Sequence, residues 1–189
     1  MDNKYSKCQK CPAFHILSEE LKDKIEKWEY KRDKYIERMK RVRLILFGES
    51  MPADRYFYDI NTIYEYDGLR YTLKKEFGKL EISDSLFLES MARKGIILFD
   101  CALCPLNEIK NNALRREAAT YCFMSINRIH LNEHPEIPIA TIFPVNLGYL
   151  KNEIPKEILS RVKGEFSFSD QTGLNKLYEN IKESNLKTV

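Results

Sequence analysis

Three short apolar runs, each separated from the next by helix-forming sequence, constrain this chain most. The first is Val42-Arg43-Leu44-Ile45-Leu46-Phe47, ended by Gly48; the second is Gly95-Ile96-Ile97-Leu98-Phe99. The third is Ile137-Pro138-Ile139-Ala140-Thr141-Ile142-Phe143. Each is short, bounded, and rich in β-branched or aromatic residues, the pattern of a strand covered on both faces. Gly164-Glu165-Phe166-Ser167-Phe168 supplies a weaker fourth. Between the runs the apolar spacing turns helical, over residues 71–77, 84–93, 112–131 and 153–162, with a closing helix over 173–184. Strands alternating with helices predict an α/β fold: a three-layer sandwich around a central, mostly parallel four-stranded sheet. With no repeat and no linker in 189 residues, a single domain over 1–189 is expected.

A long helix precedes the first strand, from Ser18 to about Lys40. Ser18 caps its exposed amides, Glu19 and Glu20 meet the positive end of its dipole, and Arg38, Lys40 and Arg41 meet the negative end. Leu21, Ile25, Trp28, Tyr35, Ile36 and Met39 recur at helical spacing among charged neighbours, so one stripe faces the core.

The hydrophobic fraction of 43% with 31% charged residues is ordinary globular composition. No run of about eighteen apolar residues occurs, and the first residues lack the apolar stretch of a signal peptide. A cytoplasmic protein with no membrane partner is expected. Five cysteines, an odd number, do not make a disulfide framework in a reducing compartment. A net charge of +3 permits contact with a polyanion without arguing for one.

In parallel sheets ligands bind where the strands end, and there the informative residues fall. The first strand runs into Gly48-Glu49-Ser50-Met51-Pro52, followed by three aromatics, Tyr56-Phe57-Tyr58. These offer a platform on which a base can stack, or else they fill the core. The second strand runs into Asp100-Cys101-Ala102-Leu103-Cys104, where an acid at the end of an apolar run needs a partner or a cleft.

Taken in order, these pieces resemble the uracil-DNA glycosylase superfamily, and most closely its iron–sulfur members. Those carry an early Cys-x-x-Cys-Pro, a first strand ending in Gly-Glu-Ala-Pro-Gly, and a second strand ending in a base-reading asparagine with a cysteine four residues on. A last cysteine lies in the next helix. Here the matching pieces are Cys8-Gln9-Lys10-Cys11-Pro12, Gly48-Glu49-Ser50-Met51-Pro52, Asp100 with Cys104, and Cys122. Phe166-Ser167-Phe168-Ser169-Asp170-Gln171 resembles the family's last-strand loop. The likeness runs from Cys8 to about Leu177. It departs at Ser50 in place of alanine, at the extra Met51, at Asp100 in place of asparagine, and in a final loop without histidine.

The resemblance implies a uracil-DNA glycosylase-like fold and a base-excision glycosylase that binds single- or double-stranded DNA. Glu49 and Asp100 are then the catalytic candidates, and Gly48, Ser50, Phe57, Tyr58, Ser167 and Ser169 the base-binding ones. A [4Fe–4S] cluster would be held by Cys8, Cys11, Cys104 and Cys122, four thiolates being what it needs. The cysteine spacing leaves two alternatives. Cys8, Cys11, Cys101 and Cys104 match a four-cysteine zinc site, with His15 close enough in sequence to replace one ligand. Otherwise the thiols are unmetallated and serve as small core residues.

Asparagine carries both a donor and an acceptor, whereas an ionised aspartate only accepts. An ionised Asp100 repels the O4 of uracil and welcomes an amino group, unless burial keeps it protonated. Ordinary uracil excision is therefore expected to be weak, and a damaged or amino-bearing base to be preferred. Arg38, Lys40, Arg41, Arg43, Arg115 and Arg116 are candidates for phosphate contact or for a solvated face. Two other classes fit the same letters: a small nucleotide-like ligand bound at the strand ends, and an interaction module whose metal site is structural.

Overall fold

The computed structural model describes residues 9–16, 18–50, 56–61, 68–142, 154–167 and 171–186. Its centre is a sheet of four parallel strands, β1 (Leu44–Ser50), β2 (Ile96–Ala102), β3 (Ile139–Thr141) and β4 (Val162–Glu165), in the order β2-β1-β3-β4. Helices α1 (Glu19–Ile36), α2 (Leu69–Glu76), α3 (Asp84–Lys94), α4 (Asn112–Cys122), α5 (Arg128–Asn132), α6 (Lys156–Leu159) and α7 (Leu174–Leu186) lie around it. The expected α/β architecture is present, and every strand pairing is parallel.

Local signals place the helices. Ser18, Ser83 and Asn111 cap α1, α3 and α4 by accepting backbone N–H groups of the first turn. Gly95 ends α3 at φ 76°, a left-handed turn that a side chain resists, and it releases the chain straight into β2. The single helix expected over 112–131 is instead two, joined by a π-helical turn at Phe123–Asn127. That turn carries Phe123 against Phe47 of β1, ring centroids 5.7 Å apart.

Gly48 does not end β1. The ladder continues past it, with Gly48 opposite Asp100 and Ser50 opposite Ala102. The fourth strand begins two residues before its expected start at Gly164 and ends at Glu165. Phe166 still donates its backbone N–H to the Thr141 carbonyl.

Alternation along the strands divides the core between two faces. Phe47, Phe99 and Cys101 point towards α4 and α5: Phe99 stacks on His130 at 4.8 Å, and the Cys101 thiol donates to the Ala119 carbonyl. Leu46, Leu98 and Asp100 point to the opposite face. On that side Tyr178 of α7 donates its hydroxyl to the carbonyl of Lys94 at the end of α3.

The outer edge of β2 is covered rather than left open. Tyr35 of α1 donates its hydroxyl to the Ile96 carbonyl at 2.6 Å. The Tyr58 hydroxyl donates to the Leu98 carbonyl at 2.9 Å and accepts the Leu98 amide at 2.6 Å. Trp28 stacks on Tyr56 at 5.4 Å, and Tyr35 meets Tyr58 at 4.7 Å. Beneath this segment Arg70, fully buried, donates to the carbonyls of Tyr56, Phe57 and Asp59 and pairs with Asp84 at 2.7 Å. Among the described residues no helix is long and apolar enough to cross a membrane.

Candidate functional site

The strand order reverses direction at β1, because β2 lies on one side of it and β3 on the other. In open parallel sheets that switch point leaves a crevice beyond the carboxyl ends of the strands. Gly48, Glu49, Ser50 and Asp100 all stand at this rim.

Asp100 lies over Gly48. A Cβ built at position 48 would overlap one Asp100 carboxylate oxygen and come within 3.4 Å of its carbon. Glycine is therefore needed here for space, not for an unusual backbone angle. Burial pushes the Asp100 carboxyl up to about 7; Arg32 pulls it down and Glu49 adds to the rise. This carboxyl therefore takes up its proton at far higher pH than an ordinary aspartate.

Arg32 approaches from α1, only 3% exposed, bonded to Glu29 at 3.3 Å and to Asp33 at 3.1 Å. Tyr56 and Tyr58 complete the surroundings. Burial raises both phenols well above their usual range, with the charge of Asp100 adding to each, so they stay neutral. The buried Tyr56 hydroxyl has no hydrogen-bond partner among the described residues.

Glu49 reaches the same rim from the other face. It alternates with Gly48 along β1 and is met by Arg115 of α4, whose guanidinium donates to its carboxylate at 2.6 Å. The two carboxylates feel each other's charge but are directed to opposite sides of the sheet. Ser50, the last residue of β1, accepts the Leu106 amide at 3.4 Å through its hydroxyl. The rim is built from separate segments of chain, each tied down by its own partner.

The other expected residues fall elsewhere. Phe57 and Tyr58 are 4% and 5% exposed and belong to the core, so they do not present an open stacking platform; the alternative of core aromatics describes them. Ser167 follows β4, with β3 and β1 between it and Asp100, roughly 14 Å away at the usual strand spacing. Ser169 and Cys8 lie outside the described residues. Arg115, a candidate for phosphate contact or for a solvated face, is engaged with Glu49. Arg32 was not anticipated, although its place on the α1 stripe, four residues after Trp28 and three before Tyr35, marks it as inward-facing.

The cysteines cluster loosely where β2 meets α4. Cys101 and Cys104 are buried, and Cys122 accepts the Leu103 amide through its sulfur at 3.4 Å. Cys11 is partly exposed, and burial, opposed by the Ala13 amide and aided by Glu117, raises its thiol above the ordinary value. Among the described residues no three His, Cys, Asp or Glu side chains are grouped to hold a metal ion.

No family model, curated protein or solved structure matches the chain.

Proposed function

We infer that the chain is a glycosylase-like protein that takes up a flipped, damaged or deaminated nucleobase of DNA at the rim formed by Gly48, Glu49 and Asp100. The observation that carries this reading is the position of Asp100. It lies against Gly48 at the end of two paired parallel strands, with a carboxyl group that titrates near neutrality. A protonated carboxyl offers one donor and one acceptor side by side, as the amide of asparagine does. Partial protonation therefore restores the pairing pattern that an ionised aspartate lacks, and with it the ability to read a base edge bearing both N–H and carbonyl.

Cleavage of an N-glycosidic bond leaves positive charge on the sugar and negative charge on the departing base. In this reading, protonated Asp100 hydrogen-bonds the base as that negative charge grows. Glu49, paired with Arg115 at 2.6 Å, positions the water whose oxygen bonds to the sugar carbon. The water's proton leaves with the base. The iron–sulfur cluster implied by the resemblance is a separate proposal, and no step depends on it.

The test is release of uracil, hypoxanthine and amino-bearing bases from single- and double-stranded oligonucleotides across pH. Expected is release, or base-dependent binding, that grows as pH falls through about 7 and is lost in Asp100→Ala. Asp100→Asn should keep the activity and lose its pH dependence. No base dependence at any pH, or none removed by Asp100→Ala, sinks the reading. Anaerobically purified protein with four irons per chain supports the cluster; colourless protein with one zinc favours an interaction module with a structural metal.

A further inference from the structure

At the opposite end of the sheet, before β1 and β2 begin, lies a cleft of about 480 Å³. Five cations line it and come from separate stretches of chain: Arg43 ahead of β1, Lys79 after α2, Arg93 and Lys94 at the end of α3, and Lys182 in α7. The carboxylates in ion-pair contact with these side chains, among the described residues, are Glu89 on Arg93 and Glu179 on Lys94 and Lys182. Arg43 and Lys79 have no carboxylate in ion-pair contact among the described residues. Like charges converging on a concave surface repel one another unless an anion neutralises them.

The cations do not stand alone. Lys94 is held 4.7 Å above the Tyr178 ring and 5.5 Å from the Phe77 ring, which fixes where its charge sits. Ile82, Leu86 and the Tyr178 ring form an apolar wall beside the charges. Leu86 is 52% exposed, so its side chain is open to a ligand. The volume falls within the range of small-molecule sites, and the lining joins a dominant basic part to a smaller apolar wall.

We propose that this cleft binds a polyphosphate carrying an apolar or aromatic group, a nucleoside di- or triphosphate being the simplest, with phosphates on Arg43, Lys79 and Arg93 and the ring against Ile82 and Leu86. The site is independent of the Asp100 rim, which lies about 15–20 Å away along β1.

Calorimetry at low salt with adenosine triphosphate, inorganic triphosphate, adenosine and a short single-stranded oligonucleotide tests the assignment. Expected is saturable binding of adenosine triphosphate, weaker binding of inorganic triphosphate, and weakening of both as salt rises. The exposed pair Lys79→Glu with Arg93→Glu should lower both affinities about tenfold or more. Leu86→Asp should remove the advantage of the nucleotide over inorganic triphosphate, and Asp100→Ala should leave binding unchanged. The proposal is overturned if neither phosphate binds saturably, or if the double reversal leaves affinity intact. Loss of nucleotide binding in Asp100→Ala also overturns it, as does an oligonucleotide that binds more tightly than the nucleotide and depends on the same cations.

Discussion

The Asp100 carboxyl group occupies the space that a side chain at Gly48 would need. The two residues face each other across paired parallel strands, so a side chain at 48 must displace the Asp100 carboxyl. Gly48→Ala should therefore destabilise the protein by about 1–3 kcal/mol through overpacking. In an Asp100→Ala background the same change should cost much less, because the colliding oxygen is gone. A double-mutant cycle by urea unfolding measures this coupling; additive costs would separate the two residues.

Stability should fall as pH rises through the window from the ordinary aspartate value of 3.8 to about 7. In that window folded Asp100 keeps a proton that the unfolded chain has lost, so the folded state binds more protons and its stability declines with pH. Below the window both states are protonated, and above it the whole penalty is present. One pKa unit corresponds to about 1.4 kcal/mol, so the total is on the order of a few kcal/mol. Asp100→Asn should be more stable than the parent above about pH 7, the gap closing towards about pH 4. Urea midpoints of the two proteins at matched pH values check this, and parallel profiles would refute it.

Arg70 joins the aromatic segment to the helical layer. It is fully buried and satisfies the carbonyls of Tyr56, Phe57 and Asp59 while pairing with Asp84. Arg70→Leu leaves those carbonyls without their donor and should cost several kcal/mol, about 1–3 kcal/mol for each buried acceptor left unsatisfied. Asp84→Asn should cost less, because its side chain is 25% exposed and water can take over part of its role. Unfolding curves of the two variants rank them.

Much of this architecture was legible because short-range physics writes it. Ser18 caps the long first helix, as its place before Glu19 and Glu20 indicates. The apolar runs of β1, β2 and β3 are buried on both faces, as continuous hydrophobic sequence requires. β4 is different: its residues Val162-Lys163-Gly164-Glu165 alternate between half-buried and exposed, so the apolar Phe166 and Phe168 drew the expected strand forward. The π turn at Phe123–Asn127 keeps a helical apolar pattern and gives no signal in the letters.

The candidate sites divide along the same line. Gly48 and Asp100 stood out as strand-end residues, but their direct opposition depends on the register between two strands whose paired residues lie 52 positions apart. That register also sends Glu49 to the other face, where Arg115 meets it. The aromatic run Tyr56-Phe57-Tyr58 reads equally well as a platform or as core until the edge of β2 is known to need hydrogen bonds. The basic cleft draws cations from position 43 to position 182, and no local window contains it.

Tyr58→Phe removes one hydroxyl that both donates to the Leu98 carbonyl and accepts the Leu98 amide. Both groups lie on the exposed side of an edge strand and are buried by the aromatic segment, so the variant leaves two polar groups without their partner. A cost of about 1–3 kcal/mol is expected, larger than for Tyr35→Phe, which gives up one bond to the Ile96 carbonyl. Faster hydrogen exchange of the Leu98 amide locates the damage. Leu98 lies two residues before Asp100 and on the same face, so water admitted at this edge should also hydrate that carboxyl. The Asp100 pKa should then move down from about 7 towards its ordinary value. A Tyr58→Phe protein with unchanged Leu98 exchange and an unchanged Asp100 titration would show that the hydroxyl does not seal this edge.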